Sequence, residues 1–217
     1  MTLTESPASV YQGQFGEFTI NQSDRKSVII YRTALMVAAL SFAIASALVL
    51  FYTNKTTIQV ITPLYTIFCL ALGVSLLTIH IYLAPLHRLL QAFWFIGCIS
   101  SFAVGHFDTQ AFAVTVYTHP LSLLGIGFTF AALTGIYFKE AFCFNRLETK
   151  VLTFTVPILL LGHLGGVLPI QAERILLGVW AIFFVIFALR KAVQEIPPDI
   201  GDKSVFAYLK AERTAKA

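Results

Sequence analysis

Long apolar runs separated by short polar clusters dominate the chain. A helix needs about 20 mostly apolar residues to cross a hydrocarbon core about 30 Å thick, and six stretches meet or approach that length. The first runs from about Val28 to Tyr52 and ends at the polar turn Thr53-Asn54-Lys55-Thr56-Thr57. The second runs from about Ile58 to Leu83, with Pro63 in its early turns, before Ala84-Pro85-Leu86-His87-Arg88 breaks the chain. The third covers about Leu89 to Val104 and the fourth about Leu121 to Phe138, followed by a charged loop from Lys139 to Lys150. The fifth covers about Val151 to Pro169, and Gln171-Ala172-Glu173-Arg174 separates it from the sixth, about Ile175 to Leu189, which Arg190-Lys191 stops. The pattern predicts an all-α fold, a polytopic membrane protein with a bundle of about six transmembrane helices.

The connection from Gly105 to Pro120 is the ambiguous part. Ala111 to Val116 is apolar but too short to span; it lies at the interface, re-enters, or lengthens the fourth helix with a bend at Pro120. Three regions are expected: an N-terminal segment over 1–27, a six-helix transmembrane domain over 28–191, and a C-terminal tail over 192–217. The stretch Tyr11 to Phe18 is read as lying on the membrane interface through its aromatics, and the tail from Gln194 as a short helix with frayed ends. The start lacks the basic, apolar and small-residue pattern of a signal peptide, so the first helix is expected to remain as an anchor.

Composition supports the membrane reading. Of 217 residues, 57% are hydrophobic and only 12% charged, against about 25% in soluble domains. So few charges cannot cover a globular surface, and the apolar surplus must face lipid. The net charge of +4 does not indicate nucleic acid, because the basic residues sit beside apolar runs and not on one polar face. With six spans, thirteen of the fifteen Lys and Arg share one side, leaving only Lys55 and Arg174 opposite. The thirteen include Arg25, Lys26, Arg32, Arg88, Lys139, Arg146 and Lys150, and the rest follow Leu189. The positive-inside rule then puts both termini in the cytoplasm.

Small residues recur at every fourth position: Ala39, Ala43 and Ala47; Gly97, Ser101 and Gly105; Gly127, Ala131 and Gly135; Gly162 and Gly166. Such ridges let helix backbones approach closely, within the monomer or between two copies. No internal repeat stands out. Cys69, Cys98 and Cys143 form no CxxC pair and suggest neither a disulfide framework nor a zinc knuckle.

No GxxxxGK[ST], HExxH, GxSxG or GxGxxG pattern is present, so the usual phosphate, zinc-protease, hydrolase and dinucleotide signatures are missing. Two polar groups remain. The outer group, His106, Asp108, His119 and His163, has imidazoles and a carboxylate that suit zinc or another transition metal, or haem. The competing reading gives His163 a hydrogen bond across helices and leaves the others in water. The inner group joins His80, His87 and Arg88 with Lys139, Glu140, Cys143, Arg146 and Glu148. Its members Lys139, Glu140, Cys143 and Arg146 are candidates for partner binding; the competing reading is a solvated cytoplasmic loop.

The stretch Gly135-Ile136-Tyr137-Phe138-Lys139-Glu140-Ala141-Phe142-Cys143-Phe144, the stretch Gly162-His163-Leu164-Gly165-Gly166 and the Tyr31-Arg32 entry to the first helix are distinctive. Together they resemble an uncharacterised family of bacterial integral membrane proteins common in cyanobacteria, over about Tyr11 to Arg190. The resemblance implies a plasma or thylakoid membrane and brings no activity and no catalytic residues. Three function classes stay open: a non-enzymatic binding or assembly factor for another membrane complex, a metal- or cofactor-binding redox protein, and a small-solute transporter. The expected partners are the lipid bilayer and either another membrane protein or a second copy of the chain, without nucleic acid; no cofactor is specified.

Overall fold

The computed structural model describes residues 10–52, 54–108 and 110–215. Residues 1–9 of the expected N-terminal segment, Thr53 of the first polar turn and Lys216 of the tail lie outside the described residues. Among the described residues, six helices are long and apolar enough to cross a membrane, which makes the protein an all-α polytopic membrane protein. They are α1 (Gln22–Phe51), α2 (Lys55–Thr78), α3 (Ala84–Phe107), α5 (Leu123–Phe144), α6 (Leu147–Leu164) and α7 (Ile170–Val193). The short helix α4 (Phe112–Thr118) lies between α3 and α5, and α8 (Pro197–Ile200) and α9 (Ser204–Ala215) follow the last span.

The first two helices start earlier than their apolar runs, at positions set by capping side chains. Asn21 Oδ1 accepts from the Asp24 amide at 2.8 Å and Asp24 Oδ2 from the Asn21 amide at 2.9 Å, a reciprocal capping box. It begins α1 six residues before Val28. Asn54 caps α2 by accepting from the Thr57 amide at 2.9 Å, without a reciprocal bond. The segment from Ala84 to Arg88 is no break but the first turn of α3, where Pro85 is tolerated because its missing N–H would have had no helical partner. The second helix ends at Thr78, short of Leu83; the carbonyl of Leu76 in its last turn is taken by His87 Nε2 at 2.5 Å and by the Gln91 amide at 3.3 Å.

The expected loop from Lys139 to Lys150 is nearly all helix. Only Asn145 and Arg146 separate α5 from α6, and Asn145 adopts φ 51°, a left-handed conformation that Asn tolerates better than most residues. The fifth span ends at Leu164, before Pro169. Gly166 has φ 63°, its amide bonds the His163 carbonyl, and the Val167 amide bonds the Gly162 carbonyl, each at 3.0 Å. That pair of bonds is a Schellman motif, in which a glycine takes the left-handed position. Residues Gln171 to Arg174 belong to the first turns of α7.

In the bundle α1 packs on α2 and α7, α5 on α3 and α6, and α6 on α7, with a lighter contact between α2 and α3 closing the ring. The interior is filled by Leu35, Leu72, Leu133, Tyr137, Phe184 and Phe187, all with no more than 2% exposure, while Ile44, Leu70, Phe102 and Phe154 point outward. The close approach between α3 and α5 uses Gly97 against Thr129, Gly125 against Ser100 and Gly135 against Leu90. The ridge of Gly127, Ala131 and Gly135 does not act as a unit, because a side chain at Gly127 would meet open space. At Gly162 the nearest neighbour is Leu168, from the turn that follows the same helix.

The N-terminal segment forms a two-stranded antiparallel hairpin, β1 (Val10–Gly13) and β2 (Gly16–Thr19), with Tyr11 opposite Phe18. It docks on the chain after α7: the Gln14 amide donates to Asp202 at 2.6 Å, the Phe15 amide to Ser204 at 3.0 Å, and Phe15 stacks on Tyr208. The hairpin and the segment after α7 therefore build one cap at the same end of the bundle.

Candidate functional site

Two regions stand apart from ordinary packing, one at each end of the bundle. At the end carrying the termini, Lys191 in the last turn of α7 has no exposed side-chain surface. Its Nζ donates to Glu140 Oε2 at 2.6 Å and, at very close range, to Asp199 Oδ1. Lys139 Nζ reaches the other oxygen of Glu140 at 2.8 Å. Arg32 Nε donates to Asp199 Oδ2 at 2.8 Å, and its terminal nitrogens reach the carbonyls of Gln194 and Glu195. Three cations thus surround two carboxylates, and the backbone carbonyls accept the remaining guanidinium protons. Removing one member would strand a buried charge, so the cluster ties α1, α5 and α7 to the segment after α7.

The inner candidates fall into this picture unequally. Glu140 is fully buried and faces the chain's own cations, and Lys139 is paired with it. Arg146 donates to the Gln194 side chain at 2.8 Å. Cys143 is exposed. Of the wider group, Glu148 pairs with Arg190 at 2.9 Å, His87 caps α2, and His80 is half-buried behind α2. Burial holds the His80 imidazole below its ordinary range.

At the opposite end the helices form a partly open cavity of about 530 Å³. It is bounded by the C-terminal half of α1, the N-terminal half of α2, α4, the start of α5, the end of α6 and the start of α7. Its walls are almost wholly apolar and rich in rings: Phe42 and Trp180 lie 4.4 Å apart, Tyr65 and Phe112 4.8 Å, Phe130 and Trp180 5.2 Å. The connection from Gly105 to Pro120 helps to form it, because α4 lies against α2 and buries Phe112.

Polar groups meet the cavity at its outer end. His163 Nδ1 lies 2.6 Å from Glu173 Oε1, with side chains 17% and 14% exposed. The second ring nitrogen of His163 is 3.2 Å from the Tyr117 carbonyl, and the Tyr117 hydroxyl donates to Glu173 Oε2 at 3.4 Å. Burial, reinforced by Glu173, pushes the Tyr117 hydroxyl above its ordinary value and keeps it a proton donor. Arg174 donates to the Leu50 carbonyl at 2.7 Å.

Of the outer candidates, His163 alone lines the cavity. His106 is exposed and stacks on Phe102, His119 is exposed beside the Thr118 hydroxyl, and Asp108 accepts from the Gln110 amide at 2.8 Å. Among the described residues no three His, Cys, Asp or Glu form a group suited to a metal. The sequence reading passed over Glu173 and Tyr117. The signal available for Glu173 was its place ten residues after His163, across a glycine turn that folds α7 back beside α6. Asp199 and Lys191 were passed over because each looked like a solvated tail charge.

No curated protein and no solved structure matches the chain. A family model matches residues 74–208, which run from α2 through α9 and include Lys191, Asp199, His163 and Glu173. The chain belongs to that family, the uncharacterized integral membrane proteins DUF2301.

Proposed function

We propose that this is a non-enzymatic binding protein of the membrane, which takes a membrane-resident apolar molecule into the end of its bundle opposite the termini. One observation carries the reading: a cavity of about 530 Å³ with ring-lined apolar walls and a few polar groups gathered at one edge. Ligand sites have this volume range and this composition. The inner charges are engaged within the chain, which makes a ligand inside the bundle better supported than a partner docked on those residues. Both termini face the cytoplasm in this proposal, supported by the thirteen-to-two division of Lys and Arg, and the membrane is a plasma or thylakoid membrane.

Trp180 provides the test. It is 2% exposed, lines the cavity, and shares the chain with only one other tryptophan, Trp94. In a Trp94→Phe variant reconstituted in lipid nanodiscs, a brominated hydrocarbon chain is expected to quench Trp180 saturably. Quenching that rises only linearly with probe, as collision from outside the bundle produces, would exclude occupancy of the cavity.

A second reading, an assembly factor for another membrane complex, draws on α3. That helix packs on α5 and lightly on α2, leaving Phe95, Ile99 and Phe102 outward. Recovery of a stoichiometric membrane subunit with the mild-detergent protein, lost when Ile99 is replaced by Trp, is the expected result; purification of the chain alone would remove this reading.

A further inference from the structure

We infer that the molecule held in the cavity is a neutral amphiphile: a hydrocarbon or isoprenoid tail carrying one hydroxyl or carbonyl head, with the head at His163, Glu173 and Tyr117 and the tail directed toward Trp180. This inference rests on the binding reading above and adds the ligand's chemistry and its orientation.

The orientation follows from α7. Glu173 and Trp180 both line the cavity and are seven residues apart, so they share a helix face about 10 Å apart along the axis. Glu173 is in the first turn of α7, at the outer end, and Trp180 lies deep among Phe42, Phe130 and Phe184. The deep end is mostly rings; the Trp180 indole nitrogen already donates to the Tyr137 hydroxyl at 3.2 Å, the Tyr65 hydroxyl is held by Ser101 and Thr129, and the α1 wall adds the hydroxyls of Ser41 and Ser46. The imidazole, carboxylate and phenol gather at the outer end, which favours the head there and the chain among the rings.

The neutrality follows from charge balance at the outer end. The cavity edge carries one carboxylate, Glu173, and one guanidinium, Arg174; Glu173 lies 2.6 Å from the His163 imidazole, and Arg174 donates to the Leu50 carbonyl. A carboxylate or ammonium head would leave one charge uncompensated against apolar walls, where the cost is far greater than in water. A head that neither donates nor accepts would forgo the hydrogen bonds on offer. The Tyr117 hydroxyl, held only loosely at 3.4 Å from Glu173, is free to turn and donate to an incoming oxygen. Glu173 Oε2 can then accept from a hydroxyl. Alcohol and carbonyl heads share the first contact and differ in the second.

The test uses the Trp94→Phe protein and a series of brominated dodecyl probes: the hydrocarbon, the alcohol, the methyl ketone, the carboxylate and the trimethylammonium. The alcohol or the ketone is expected to quench Trp180 at about one-tenth the concentration needed by the hydrocarbon or either charged probe, the gain of about one to two hydrogen bonds. An alcohol that binds more tightly than the ketone identifies a hydroxyl head; equal binding of the two identifies a carbonyl contact alone. In a His163→Leu, Glu173→Leu double variant the preference should shrink to within about threefold while the hydrocarbon's own quenching stays unchanged. Tyr117→Phe, at an exposed position that leaves the bundle intact, should reduce it by severalfold and serves if the double variant does not fold. Equal quenching by all five probes, a charged probe binding best, or a preference untouched by Tyr117→Phe would overturn the head assignment while leaving the cavity reading standing. Absence of saturable quenching by every probe would overturn the cavity reading itself.

Discussion

Lys191 Nζ and Glu140 Oε2 lie 2.6 Å apart with both side chains fully buried, joining α7 to α5 at the end where the termini meet. Removing the lysine's charge without its bulk, in Lys191→Met, leaves Glu140 and Asp199 with fewer cations than the site was built around. Breaking one member of such a buried set costs about 3–5 kcal/mol. A large drop in the thermal midpoint in detergent is expected for Lys191→Met and for Glu140→Ala. A midpoint unchanged in both would mean that water reaches this cluster.

The seam between α3 and α5 distinguishes two glycines of the same chain. At Gly97 a new Cβ would press into the backbone of Thr129, whereas at Gly127 it meets nothing within 4 Å. Gly97→Ala is therefore expected to destabilise the protein by about 1–3 kcal/mol. Gly127→Ala should be neutral or stabilising by up to about 1 kcal/mol, the difference in helix propensity. Equal behaviour in a side-by-side denaturation series would contradict the packing.

Acid should weaken the cap through His80. Its folded imidazole titrates below its ordinary range because of burial first; Asp24 and Asp199 oppose this, and Lys139 and Lys203 reinforce it. A depressed folded value means that the unfolded chain binds more protons in the interval between the two values. The contribution to stability is fully present above pH of about 6.5 and is lost as pH falls through the folded value. Melting profiles between neutral pH and about pH 5 should show a fall that His80→Gln makes shallower. Identical profiles would exclude His80 as the source.

Topology follows from charge placement. Reporter domains that work only in the cytoplasm should be active when fused after Lys150 and after Lys210, and export-dependent reporters when fused near Thr56 and Asp108. An exported C-terminus would overturn the cytoplasmic assignment of the termini.

Much of the bundle was legible in the sequence because a span is a one-dimensional property: apolar length alone decides it, and all six runs became helices. The edges were legible only in part. Hydropathy placed the start of α1 at Val28, since polar first turns look like loop; the Asn21–Asp24 capping box was readable but carries no hydrophobic signal. The turn at Asn145 hid for the opposite reason: charged residues on both sides suggested a long loop where two helices nearly abut.

The candidate site was less legible. His163 was singled out because a histidine within an apolar run needs a partner, but that partner, Glu173, sits on the next helix and was read as part of a polar break. The ridge at Gly127, Ala131 and Gly135 was legible only in part, because spacing names a helix face without naming which neighbour lies against it: Gly135 seats Leu90 of α3, while Gly127 meets open space. By itself the sequence determined that this chain lives in a membrane, how many times it can cross, and which end gathers the positive charge, since these follow from the transfer of apolar and charged side chains out of water, residue by residue. The tertiary structure alone decided that Lys191, Glu140, Asp199 and Arg32 share one buried cluster and that six elements line a cavity beside His163 and Glu173. Both depend on contacts between residues far apart in the chain, fixed only when the helices choose their neighbours.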